Sequence, residues 1–175
     1  MSSYNSDIDS SKQKPLPYRI LSVIVDNKPG VLFRVTNLFR ARNFNIESIT
    51  VGTTEQHDIS RMTIAIQSDS RTTDQLVKQL SKLIDIIEVR ILDTGNTVFR
   101  ELALIKMKAH NPTSRMEITH FSNIFRAKIL DVSTDSMMVE ITGTPDKIDA
   151  FKSIVDPYGI IQIARTGISA LPRGV

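Results

Sequence analysis

The sequence contains no cysteine and no tryptophan. Without thiols, disulfides, thiolate nucleophiles and thiolate metal sites are excluded. The three histidines, His57, His110 and His120, stand far apart with no H-E-x-x-H spacing, so a histidine metal site has no sequence support. Aromatic residues make up only 6%, and none interleave with a run of Lys or Arg. A stacking platform or basic groove for nucleic acid is thereby disfavoured. The charge is nearly balanced, 22 basic against 19 acidic side chains. No apolar run approaches the ~20 residues that a membrane-spanning helix needs. Residues 1–17 are polar, carry Asp7 and Asp9 and have no apolar h-region, so no secretory signal is expected. These absences predict a cytoplasmic protein that engages neither nucleic acid nor membrane.

What is present is an ordinary globular composition, 41% apolar and 23% charged over 175 residues. That length allows one modest domain or two small ones. Residues 1–17 read as a disordered tail. Tyr18 to Val25 is an almost unbroken β-branched run, the pattern of a strand covered on both faces. Asp26 to Gly30 is a turn. Val31, Leu32, Val35, Leu38 and Phe39 then recur at helical spacing as far as Arg42-Asn43. Phe44 to Thr53 and Ser60 to Gln67 read as strands. In the second of these, Met62, Ile64 and Ile66 share one face, opposite Arg61, Thr63 and Ala65. Thr72-Thr73-Asp74-Gln75 matches a capping box for a helix with Leu76, Leu80, Leu83 and Ile84 as its stripe. Ile87, Val89 and Ile91 alternate in a fourth strand. The order β-α-β-β-α-β is the ferredoxin-like arrangement.

After a linker at 94–98 the same order recurs over residues 99–175. Phe99 to Ala109 is strand-like, His110 to Thr113 a turn, and Met116 to Arg126 a helix. Lys128 to Val132 and Met137 to Thr142 are strands. Thr144-Pro145 opens a last helix, and Ile160 to Ala164 closes the sheet. The fold class is therefore α+β: two tandem ferredoxin-like βαββαβ modules, the first spanning residues 18–93. Modules this small are marginal alone, and a four-stranded sheet leaves two edges and a face to cover. Association of copies through sheet faces or edges answers that need; two modules covering each other in one chain is the alternative.

One segment suggests a binding role. Asp26-Asn27-Lys28-Pro29-Gly30-Val31-Leu32 joins a buried strand to a helix start. The first turn of a helix leaves N–H groups unpaired and attracts small anions such as a carboxylate. Gly30 permits close approach, and the Asn27 side chain can both donate and accept. Together these parts suit the two ends of an amino acid, although Pro-Gly before a helix is also common turn chemistry. Asn45 is polar within the apolar stretch Phe44-Asn45-Ile46, either a ligand contact or a strand-end turn residue. No grouping of nucleophile, base or metal ligand suggests an enzyme. Asp26 reads as turn capping, His57 as a solvated hairpin residue and His120 as a surface or interface histidine.

Several of these stretches, in this order, resemble the regulatory (small) subunits of acetolactate synthase, also called acetohydroxyacid synthase. They are Arg19-Ile20-Leu21-Ser22-Val23, Asn27 to Leu32, Asn43 to Val51, Ser60 to Ile64, Arg100-Glu101-Leu102, Phe125 to Val132, Gly143-Thr144 and Ala164 to Gly167. The resemblance implies that the first module is an ACT domain and that copies form a homodimer through it. It implies binding of valine or a related branched-chain amino acid at that dimer interface, with activation and feedback inhibition of a large catalytic subunit. Thiamine diphosphate, magnesium and FAD would belong to that partner, and no cofactor to this chain. Carried over, Asn27, Gly30, Val31 and Leu32 would hold the effector's polar end, and Asn45 and Ile46 would complete the site from the neighbouring copy.

Overall fold

The computed structural model describes residues 18–174; the expected tail, residues 1–17, lies outside them. The first module contains β1 (Tyr18–Asp26), α1 (Val31–Ala41), β2 (Ile46–Thr53), β3 (Ile59–Gln67), α2 (Ser70–Leu80) and β4 (Ile86–Leu92). Its antiparallel sheet has the order β2-β3-β1-β4. Along β1 the pleat sends Leu21, Val23 and Val25 into the core beneath the helices, where Met62, Ile64, Ile66, Val35, Phe39, Leu76 and Leu80 join them. Ile20 and Ser22 point the other way and are buried too, so both faces of this strand are covered. That is the reason for its unbroken apolar run.

Helix α1 buries Val31, Val35 and Phe39, one turn apart, while Leu32 is 45% exposed and leaves the expected stripe. The helix ends in a Schellman motif. Asn43 is left-handed (φ 56°), its N–H reaches the Arg40 carbonyl at 3.0 Å, and the Phe44 N–H reaches the Phe39 carbonyl at 3.0 Å. The rings of Phe39 and Phe44 meet edge to face at 6.2 Å, which fixes where the chain turns into β2.

Three expectations need correction. Helix α2 starts at Ser70, not within Thr72-Gln75, and its cap is Asp69. The Asp69 carboxylate accepts from the Thr72 N–H (2.9 Å) and from the Thr72 hydroxyl (2.6 Å). It outcompetes a threonine as cap because it accepts both bonds with charge. Because α2 ends at Leu80, Ile84 falls in the following loop and is 94% exposed. A bulge between the pairs Ile24–Glu88 and Val25–Ile86 skips Ile87, which turns outward, while Ile86 and Val89 pack on the core.

The second module has β5 (Thr97–Lys108), α3 (Pro112–Ile124), β6 (Lys128–Val132), β7 (Ser136–Gly143), α4 (Pro145–Val155) and β8 (Ile160–Arg165). Its strand order is β6-β7-β5-β8, and its core joins Ile105, Met107, Val139 and Ile141 to Ile118, Ile148 and Phe151. The turn expected at His110–Thr113 is in fact the start of α3, capped by Asn111, whose side chain accepts from the Ser114 N–H at 2.8 Å. Strand β5 begins at Thr97, inside the expected linker, after a single 3-10 turn at Thr94–Asn96.

A ninth strand, β9 (Ser169–Pro172), pairs with Thr97–Arg100 of β5. This ribbon lies over the helix-free face of the first sheet, where Phe99, Ile168 and Ala170 pack on Ile20, Ala65 and Leu92. The chain's own C-terminal segment thus covers part of a face that the sequence reading assigned to copies or to a neighbouring module.

The hydrogen bonds from Thr72 hold the Asp69 carboxyl below its ordinary value. Its contribution is therefore present above the ordinary carboxylate range and is lost as pH falls through the lower folded-state value. Asp69→Ala should lower the thermal midpoint at neutral pH, Asp69→Asn should lower it less, and the gap between Asp69→Ala and wild type should close in acid. Thermal melts across a pH series check this.

Candidate functional site

The turn after β1 is built by hydrogen bonds to two neighbouring segments. The Asp26 N–H donates to the Asp85 carbonyl (2.9 Å) and the Asn27 N–H to the Asp58 carbonyl (2.7 Å). The Asn27 side-chain amide donates to the His57 carbonyl at 2.9 Å, which leaves its own oxygen free to accept. Lys28 bonds the Asp26 carboxylate at 2.6 Å, a contact in solvent that raises the lysine's pKa. Pro29 and Gly30 then bring the chain round. Gly30 is left-handed (φ 85°, ψ −10°) at the N-cap position, and no side chain among the described residues caps the helix.

The helix mouth is therefore open. The Val31 N–H makes only a long 3.4 Å bond to the Lys28 carbonyl, and the N–H groups of Leu32 and Phe33 are the helix's next free donors. The Val31 side chain is buried, so only its backbone faces the mouth, whereas the Leu32 side chain is exposed beside it. A Cβ on Gly30 would approach only the Arg34 guanidinium, at 3.5 Å. The turn thus offers oriented donors, the positive end of a dipole and room above a glycine, which together suit a carboxylate.

Asn27, Gly30, Val31 and Leu32 come together here; Asn45 and Ile46 do not. Ile46 pairs with Ile66, while Asp26, at the turn, pairs with Ile59. Seven residues of β3 separate those rungs, about 23 Å at ~3.3 Å per residue. The Asn45 amide donates to the Glu47 carboxylate at 2.8 Å, and Ile46 packs half-buried on the core. Within one chain the two halves of the expected site lie at opposite ends of the sheet.

Sequence reasoning missed one residue that shapes the turn. Asp85 is buried, and its carboxylate accepts from the Arg34 Nε at 2.6 Å. Its carbonyl holds the end of β1, so one residue ties α1 and the turn to the loop before β4. The available signal was a lone acid in the apolar stretch Leu83-Ile84-Asp85-Ile86-Ile87, because a carboxylate there must be paired. A second concavity, about 760 Å³, lies between the modules and is lined by Tyr18, Ser48, Glu101, Asp149, Arg165 and Thr166, among others. There Arg165 grips Glu101 with two bonds of 2.7 Å and donates to Asp149 at 2.6 Å. Burial raises the pKa of Tyr18 at its rim. Among the described residues no group of three or more His, Asp or Glu is placed to hold a metal ion, and no helix is long and apolar enough to cross a membrane.

The left-handed backbone at Gly30 makes a stability prediction. An alanine there meets no steric block, so Gly30→Ala should cost only the strain of a left-handed residue, about 1–2 kcal/mol. Urea denaturation measures it; an unchanged midpoint would mean that the turn relaxes to another conformation.

Residues 21–88 match the family model described as AHAS small subunit-like ACT domain, and residues 100–174 match the small subunit of acetolactate synthase. The chain is 49% identical over 158 residues to the acetolactate synthase small subunit of Mycolicibacterium smegmatis, covering 90% of this chain and 92% of that one. It is 53% identical over 154 residues to a probable acetolactate synthase small subunit of Archaeoglobus fulgidus, covering 88% and 96%. The crystal structure of the small subunit from Thermotoga maritima superposes with a TM-score of 0.84 at 41% identity, covering 91% of this chain and 99% of that one. The chain therefore belongs to the ACT-domain family of acetolactate synthase small subunits, as a regulatory subunit and not the catalyst.

Proposed function

We propose that this chain activates a thiamine-diphosphate-dependent acetolactate synthase in the cytoplasm and confers feedback inhibition on it by valine or a related branched-chain amino acid. The observation that carries the effector reading is the uncapped start of α1 behind a left-handed Gly30, with Asn27 beside it. The effector carboxylate would take the free N–H groups of the first helical turn, and the Asn27 side-chain oxygen would accept from its ammonium group. Thiamine diphosphate, magnesium and FAD belong, in this reading, to the catalytic subunit.

The separation of Asn45 from the turn supports a site shared between two copies. Strand β2 is an edge strand, with one row of its backbone groups unpaired among the described residues. Two such edges paired antiparallel about a twofold axis set the start of one β2 against the end of the other. That brings Asn45 and Ile46 of one copy to the turn-bearing end of its partner's sheet. A ligand bridging the copies would bias their arrangement, and a coupling of ~1–3 kcal/mol is enough for feedback regulation. Discrimination among valine, leucine and isoleucine rests on methylene-sized differences, about 1–3 kcal/mol.

The test is acetolactate formation by the reconstituted pair with each branched-chain amino acid. Gly30→Asp sets a carboxylate against the effector's own, and like charges there cost enough to raise the half-inhibitory valine concentration at least ~10-fold. Gly30→Asn controls for the backbone, because both residues tolerate the left-handed region and only one is charged. Inhibition should survive in Gly30→Asn, and both pairs should stay faster than the catalytic subunit alone. Unchanged valine binding by Gly30→Asp in calorimetry would contradict the assignment.

A further inference from the structure

Between β8 and β9 the chain crosses the first module at strand β2. Gly167 is left-handed there (φ 82°), and a Cβ on it would stand 3.0 Å from the Thr50 hydroxyl and 3.2 Å from the Ser48 Cβ. Glycine suits this position twice over, by its left-handed backbone and because a side chain there would crowd those of Thr50 and Ser48. The Thr50 hydroxyl donates to the Thr166 carbonyl across this contact at 3.3 Å. Thr166 is in turn fixed to the second module: its N–H donates to the Leu102 carbonyl at 3.0 Å, and its hydroxyl accepts from the Leu102 N–H at 3.1 Å. The next residue, Arg165, carries the paired bonds to buried Glu101 and the bond to Asp149 on α4. An unbroken line of direct contacts thus runs from β2 into the second sheet and its last helix.

Two features single out this contact. The Ser48 hydroxyl is buried beside the Tyr18 hydroxyl, against the Gly167 crossing. The ladder between β2 and β3 also changes register between Ile46 and Ser48, immediately after the residues assigned to the effector. A bulge there bends and twists the start of β2 relative to the rest of the strand.

We infer that the Gly167 crossing over Ser48 and Thr50 is the joint through which a ligand at the start of β2 acts on the C-terminal module. The inference rests on the effector reading above. It assigns a coupling role to residues outside those proposed to hold the effector.

Because the chain has no cysteine, an engineered pair would be unique. In Ser48→Cys/Gly167→Cys the Cβ positions start a few tenths of an ångström inside the usual disulfide separation of about 3.5–4.5 Å, so a small opening admits the bridge. Reconstituted with the catalytic subunit, the oxidised pair should still bind valine in calorimetry but should need roughly tenfold more of it, or more, for half-inhibition; reduction should restore the response. Thr50→Val, which removes the bond to Thr166 at constant volume, should weaken inhibition in the same direction without weakening valine binding. A bridge confirmed by intact mass with inhibition unchanged overturns the joint. If the double variant does not fold, unchanged inhibition in Thr50→Val overturns it. Absence of valine binding by the unmodified chain overturns the effector reading itself, and with it the signal that the joint would carry.

Discussion

A sheet of four strands with two helices on one side has a second face to hide, and the layout of this molecule follows from how that is done. Strand β1 is apolar on both faces, with Leu21, Val23 and Val25 under the helices and Ile20 opposite. The helices satisfy the first set. The second set is met by a ribbon made from the start of β5 and the last strand, through Phe99, Ile168 and Ala170. That covering ties the end of the chain to the first module and sets Gly167 against β2. Remove the apolar demand of Ile20, Ala65 and Leu92, and the modules would have little reason to meet as they do.

The same economy explains why the candidate site is open. Two other helix starts are closed by side chains, Asp69 for α2 and Asn111 for α3, while α4, like α1, has no side-chain cap among the described residues. At α1 the N-cap is a glycine with nothing to offer, and the turn's stability comes instead from backbone bonds to Asp58 and Asp85 and from the bond of the partly exposed Arg34 to buried Asp85. The donors of the first turn are thereby held in place without being consumed. A Schellman stop, locked by Phe39 and Phe44, then delivers Asn45 to the start of an edge strand. Both halves of the proposed site are thus positioned by the chain's own bonds before any ligand arrives, which lowers the entropic cost of binding.

Much of the fold was legible because its periodicities were strong. The alternation Met62, Ile64, Ile66 against Thr63 and Ala65 is the alternation of core and ribbon contact seen in the sheet. The misses have local causes. Thr72 and Gln75 imitate a capping box, but an aspartate three residues earlier binds Thr72 more strongly. Ile84 and Ile87 are apolar residues stranded by a helix end and a bulge, neither of which shows in an apolar pattern. Strand β9 has four residues, one of them proline, and pairs with a segment some seventy positions earlier, so no local signal announces it. In the candidate site, Gly30 before a helix was readable as a tight turn. The Arg34–Asp85 support joins residues 51 positions apart, so only the lone acid in an apolar stretch hinted at it.

The central claim is that the effector site is divided between copies, and complementation tests it most directly. Gly30→Asp damages the turn, and Asn45→Ala damages the other half. Each variant alone should bind no valine in calorimetry. In a mixed dimer one damaged half faces the other, and the two intact halves form about one working site per dimer. Co-refolding the two variants should therefore restore valine binding, with mixed dimers as the binding species. A mixture that binds no more valine than either variant alone, with mixed dimers present, would contradict a shared site.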